Sequence, residues 1–144
     1  MCCRFARGPA MNAWLGVVSA EHVRRAVDLG IAQIGHGKRA GLVRMKAGDV
    51  LVYYSPVESM GDRDPLREFT ALGVIEEGEI WQADEGCFKP FRRRVRYEQF
   101  NPVPLDAVRS RLALTSAPNW GYQLRRGLIP LDDNDVEVLR STTS

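Results

Sequence analysis

The sequence predicts an α+β domain in which a small, strongly curved sheet forms a compact β-barrel with helices packed outside it. Three observations carry that reading. Short β-branched or aromatic runs fill the first two-thirds of the chain, helical apolar spacing appears before and after them, and the 144 residues hold no repeat, low-complexity tract or second domain. Folding at that length buries roughly 68–70% of the unfolded surface, enough for one core without covalent staples.

Residues 1–11, MCCRFARGPAM, are basic and lack an apolar run. They are expected to be a disordered extension, or the product of a misplaced start, because Met11 directly precedes the first patterned segment. NAWLGVVS, residues 12–19, is β-branched and aromatic and predicts a buried strand. Ser19 then N-caps a helix, AEHVRRAVDLG, with Val23, Ala26 and Val27 as its apolar stripe and Gly30 as its stop. The glycine-rich loop QIGHGKRAG, residues 33–41, follows. DVLVYYSP, residues 49–56, is a second strand ended by proline, and the polar stretch VESMGDRDPLRE after it is long enough to serve as a lid. FTALGVIEEGEIWQ, residues 69–82, reads as a strand, a turn and a shorter strand. PFRRRVRYE, residues 90–98, alternates, so that Arg92, Arg94 and Arg96 share one face and Phe91, Arg93, Val95 and Tyr97 the other. Helical spacing then groups Leu105, Val108 and Leu112, and next Trp120, Leu124 and Leu128. A last helix begins near Asp132, its early acids suiting the helix dipole and Val136 and Leu139 docking it.

Net charge is only +2, so distribution matters more than the total: Lys89, Arg92, Arg93, Arg94 and Arg96 lie within eight residues, while Glu76, Glu77, Glu79, Asp84 and Glu85 precede them. Three cysteines without CxxC spacing support neither a disulfide framework nor zinc, and a reducing cytoplasm fits them best. No run approaches the ~18 apolar residues of a membrane span. A phosphate loop ending at Gly37 and Lys38 would need glycine at 32 and a hydroxyl at 39, where Ala32 and Arg39 stand. HExxH and GxSxG are both absent, and no carboxylate pair has spacing that implies acid–base work. Neither metal nor cofactor is expected.

Binding is better supplied than catalysis. Tyr53, Tyr54, Trp81, Phe88 and Trp120 stand at strand ends or beside turn residues, and His36 lies between two glycines ahead of Lys38 and Arg39. Aromatics, a glycine-flanked histidine and a cationic strand together suit stacking a base and holding its phosphate. Each feature also has a plain structural explanation: rings in the core, a simple turn, arginines on a solvated face.

The segments WLGVVSAEHVRRAVDLGIAQIGHGK, MKAGDVLVYYSP, FTALGVI, FRRRVRY and PNWGYQLRRGL resemble, in that order, the EVE domain family of the PUA-like superfamily, with one domain over residues 12–144. The resemblance implies a pseudo-barrel of mixed strands flanked by α-helices, related to the YTH readers of N6-methyladenine, and a non-catalytic module that flips a modified base of DNA or RNA into an aromatic-lined pocket. It places Ser19 in the segment after the first strand that contacts the base. It puts Gln33 and His36 where YTH domains contribute a cage tryptophan, and here these two are expected to hydrogen-bond the base edge. Tyr53 and Ser55 resemble the next pocket wall, and Trp81 or Phe88 the second cage aromatic, with Trp120 a further stacking face. Lys38, Arg39, Arg92, Arg94 and Arg96 are expected to meet phosphates. Two other classes compete: a sensor of a free nucleoside or nucleotide in the same pocket, and an enzyme using His36 as acid or base.

Overall fold

Strand β1 (Ala13–Val17) leads into helix α1 (Ala20–Leu29), the short strand β2 (Ile31–Ala32) and helix α2 (Arg39–Arg44). Strands β3 (Val50–Ser55), β4 (Glu68–Ile75), β5 (Trp81–Gln82), β6 (Phe91–Tyr97) and β7 (Val103–Pro104) follow, then α3 (Leu105–Val108), α4 (Trp120–Gln123), β8 (Leu128–Leu131) and α5 (Asp133–Thr143). This computed structural model describes residues 12–143, so the expectation for residues 1–11 lies outside the described residues.

All eight strands form one mixed sheet ordered β2-β6-β4-β3-β1-β8, with β5 on β6 and β7 on β4. Only β1 and β3 run parallel, in register Ala13 to Val50 through Val17 to Tyr54. Parallel neighbours need a crossover, and α1, β2 and α2 supply it. The central strands are buried on both faces, which explains their unbroken apolar runs. One face packs Trp14, Leu51, Tyr53, Ala71 and Val95 with Ile34 and Leu42, while the other packs Leu15, Val52, Phe69 and Leu72 with Leu105, Val108, Val136 and Leu139.

The ladder stays open between β2 and β8. Helix α2 packs across that seam. A Cβ on Gly41 would stand 2.6 Å from Ile34 Cδ1 and 3.5 Å from Leu128 Cδ2, and Arg44 Nη1 donates to the Leu128 carbonyl at 3.3 Å. Two buried carboxylates tie the ends of the fold. Asp49 accepts from Trp14 Nε1 at 2.9 Å and from the backbone of Asn12 and Lys46, and Asp135 accepts from the Ala113 and Leu114 amides at 2.7 and 2.9 Å.

Three expectations need correction. Leu128 is not helical: Gly127, at φ 79°, ends the preceding turn, and Leu128–Leu131 pairs along the edge of β1, where strand hydrogen bonds are available. The span from Leu105 to Leu112 is one helical turn followed by tighter turns, because the Ala113 and Leu114 amides go to Asp135. Ser19 occupies the N-cap position of α1, but its hydroxyl makes no capping bond. The loop after β3 satisfies the helix instead, since the amides of Ala20 and Glu21 donate to the carbonyls of Val57 and Glu58 at 3.0 and 2.9 Å. That leaves the Ser19 side chain with nothing to bind.

Candidate ligand-binding cleft

Beside the end of β1 opens a cleft of about 810 Å³. Val17 lines it from the end of β1, Val18 and Ser19 from the residues just after, and His22, Arg25, Ala26 and Leu29 from one face of α1 at helical spacing. Gln33 and the turn from Gly35 to Lys38 form another wall, with Arg92 and Glu85 beyond. Pro56, Val57 and Met60 add apolar lining, and Arg125, Arg126 and Gly127 line it beside Val17, whose amide donates to the Gly127 carbonyl at 2.9 Å. Five cations therefore face one carboxylate, so the cleft favours an anionic ligand.

Ser19 is 7% exposed, and its Oγ is buried with no hydrogen-bond partner. Leaving a buried hydroxyl unpaired costs about 1–3 kcal/mol, which a ligand supplying a partner would recover. Nearby, Arg92 Nε donates to Gln33 Oε1 at 2.8 Å, holding the amide so that its NH₂ stays free to donate. The Gln33 backbone is set from below: its amide donates to Tyr53 Oη at 3.4 Å, Tyr97 Oη donates to the Ile31 carbonyl at 2.6 Å, and the two rings stack 6.4 Å apart.

His36 is exposed, in the left-handed region at φ 60°, within the turn Gly35–Gly37. The two flanking glycines differ: a Cβ on Gly35 would meet nothing within 4 Å, whereas Gly37 is pressed against a neighbouring segment. A Cβ on Gly37 would lie 2.6 Å from Pro90 Cβ and 3.1 Å from Phe88 Cζ, so the missing side chain lets the turn press against residues 88–90. Phe88, 43% exposed, lines the cleft there.

The structure thus brings Ser19, Gln33, His36, Lys38, Phe88 and Arg92 to one cavity. The aromatic lining is corrected. Tyr53 and Ser55 are fully buried, Tyr53 under Gln33 and Ser55 against Thr70 Oγ1 at 2.8 Å. Trp81 lies beneath the Arg94 guanidinium, 5.3 Å from its carbon, and Trp120 packs on the core below Arg109; neither lines the cleft. Strand alternation holds Arg94 and Arg96 exposed on β6, but they and Arg39 also lie outside the cavity. Arg92 differs from both, being paired with Glu85 at 2.7 Å, and Glu85 also meets Arg25. Hydrogen bonding from Arg92 holds the Glu85 carboxyl below its ordinary range.

Reading the chain in one dimension missed His22, Arg25, Glu85, Arg125 and Arg126. The signal for the first two was present: residues 22, 25, 26 and 29 share a helix face. For the last two there was none, because the chain returns to β1 only through the β8 ladder.

The family model described as EVE domain matches residues 12–142. The chain is 50% identical over 129 residues to the UPF0310 protein of Renibacterium salmoninarum, covering 90% of this chain and 93% of that one. It is 42% identical over 130 residues to a UPF0310 protein of Mesorhizobium japonicum, covering 88% and 87%. Among solved structures, a hypothetical protein from Leishmania major superposes with a TM-score of 0.58 at 13% identity over 93% of this chain and 95% of that one. A Pseudomonas putida protein does so with 0.57 at 15% identity over 92% and 99%. These two likenesses concern the fold alone.

Proposed function

The chain belongs to the EVE domain family, and from that membership and the cleft we propose that it is a non-catalytic module that binds nucleic acid and reads a modified base turned out into the cavity. One observation carries the reading: Ser19 Oγ, buried and unpartnered, in the wall of a cationic cavity of about 810 Å³. Pockets for small ligands run roughly 300–1,000 Å³, apolar with a few placed polar groups, and Val17, Val18, Ile31, Ser19 and Gln33 fit that description. The base would rest against Phe88 and the imidazoles, with its edge met by Ser19 and the free Gln33 NH₂. A methyl mark contributes only about 0.8 kcal/mol through its area, so strong discrimination requires a polar mark that bonds Ser19 or Gln33.

The cavity's size also favours a second reading, a free nucleoside or nucleotide as the ligand.

Ser19→Ala tests the reading in two measurements. Removing an unpaired hydroxyl that caps nothing should leave the melting temperature unchanged or raised. The same variant should lose about 1–3 kcal/mol of affinity for its preferred member of a panel of oligonucleotides carrying cytosine, 5-methylcytosine, 5-hydroxymethylcytosine or N6-methyladenine. Parent-like binding across the panel would remove Ser19 from recognition. Tight binding of free nucleosides without any oligonucleotide binding would favour the second reading.

A further inference from the structure

The cleft's cations divide into two groups. Arg25 and Arg92 share the Glu85 carboxylate. Lys38, Arg125 and Arg126 line the same cleft and meet no carboxylate among the described residues. Their backbones are anchored: Lys38 follows the left-handed turn of His36, and the arginines precede Gly127, whose carbonyl accepts from the Val17 amide at 2.9 Å. Arg126 is further held by Gln123, its Nη1 donating to Oε1 at 3.2 Å. Arg125 lies over the ring of Tyr122, 5.5 Å from its centroid, and Tyr122 is 68% exposed. Most of the Tyr122 ring is therefore open to solvent.

Resting on the reading above, we propose that Lys38, Arg125 and Arg126 form the phosphate subsite, and that Tyr122 is the stacking platform for a flanking base of single-stranded nucleic acid. Cations without a carboxylate partner bind phosphate without first giving one up, and an exposed ring beside them offers surface to an unstacked base. A duplex keeps its bases stacked and offers Tyr122 only backbone. The backbone of the strand therefore runs along the residue 122–126 side of the cleft, and the paired Arg92 orients Gln33 instead of meeting phosphate.

The test uses the full chain and a mixed-sequence, unmodified single strand of about twelve nucleotides, within the usual site size, titrated by fluorescence anisotropy across salt concentrations. Lys38→Ala, Arg125→Ala and Arg126→Ala should each flatten the slope of log K against log salt by about 0.7, and Arg92→Ala should leave it unchanged. Tyr122→Ala, at a solvent-exposed position, should weaken binding roughly tenfold with the slope retained, while the duplex of the same sequence binds both proteins alike. Unchanged slopes in the three lysine and arginine variants, or parent-like binding by Tyr122→Ala, would overturn the proposal. The two readings fail separately: if Ser19→Ala lowers affinity for a marked base while these slopes do not move, only the phosphate subsite is wrong. If the slopes move while Ser19→Ala binds every oligonucleotide as the parent does, only the base-reading role is wrong. A parent chain that binds no strand refutes both.

Discussion

Glu85 meets two guanidiniums through the same carboxylate oxygen, that of Arg25 and that of Arg92 at 2.7 Å. Both arginines would otherwise add positive charge to the cleft, and Glu85 keeps Arg92 aligned on Gln33; on the proposed reading it also moderates affinity for an anionic ligand. Glu85→Gln should therefore tighten binding of any oligonucleotide, marked or unmarked, and steepen its salt slope by about 0.7 if one freed arginine gains a phosphate. Anisotropy titrations at several salt concentrations measure both quantities. Weaker binding by this variant would mean that Glu85 itself contacts the ligand.

At the scale of elements, the turn from Gly35 to Gly37 positions much of the cleft's second wall. Its conformation depends on left-handed backbone at three consecutive residues, φ 56°, 60° and 81°, and on the approach of Gly37 to Pro90. Histidine tolerates that region better than β-branched residues do. Gly37→Ala brings a methyl group within 2.9 Å of Pro90 Cα, a backbone atom that cannot swing aside. It should lose about 1–3 kcal/mol of stability in denaturant titrations and shift the Phe88 signals in an NMR spectrum. His36→Gly relieves the positive φ and should stay within about 1 kcal/mol of the parent. Equal stability of Gly37→Ala and the parent would show that the turn is free to move away from residues 88–90.

For the whole molecule, the buried tyrosines set the alkaline limit. Burial pushes the Tyr53 phenol up to about 12 from an ordinary 10.0, and the same cause raises Tyr97. An unfolded chain releases these protons near pH 10, while the folded chain holds them. The stabilising contribution of Tyr53 is complete below pH 10 and is lost as pH rises through about 12, at about 1.4 kcal/mol per pH unit. Denaturant midpoints measured from pH 9 upward should fall along that course. Tyr53→Phe should make the fall shallower, and an unaltered fall in that variant would assign the alkaline limit to other groups.

Strands β1, β3, β4 and β6 and helices α1 and α5 were legible in the chain because period-two and helical spacing are local properties, and the family was legible in the ordered segments that resemble EVE domains. The sequence also placed Ser19, Gln33, His36, Lys38, Phe88 and Arg92 among the residues to watch, and all six line the cleft. Tertiary structure decided the rest. Ser19 is unpaired only because a loop some forty residues away caps its helix. Tyr53 is core and not cage because α2, with Ile34 and Leu42, covers that face of the sheet. Arg92 is neutralised by a glutamate seven residues upstream, while Arg125 and Arg126 reach the cleft only because β8 pairs with β1 from the far end of the chain. Burial, pairing and charge balance at a site are sums over neighbours in space, and local periodicity carries no information about which neighbours those are.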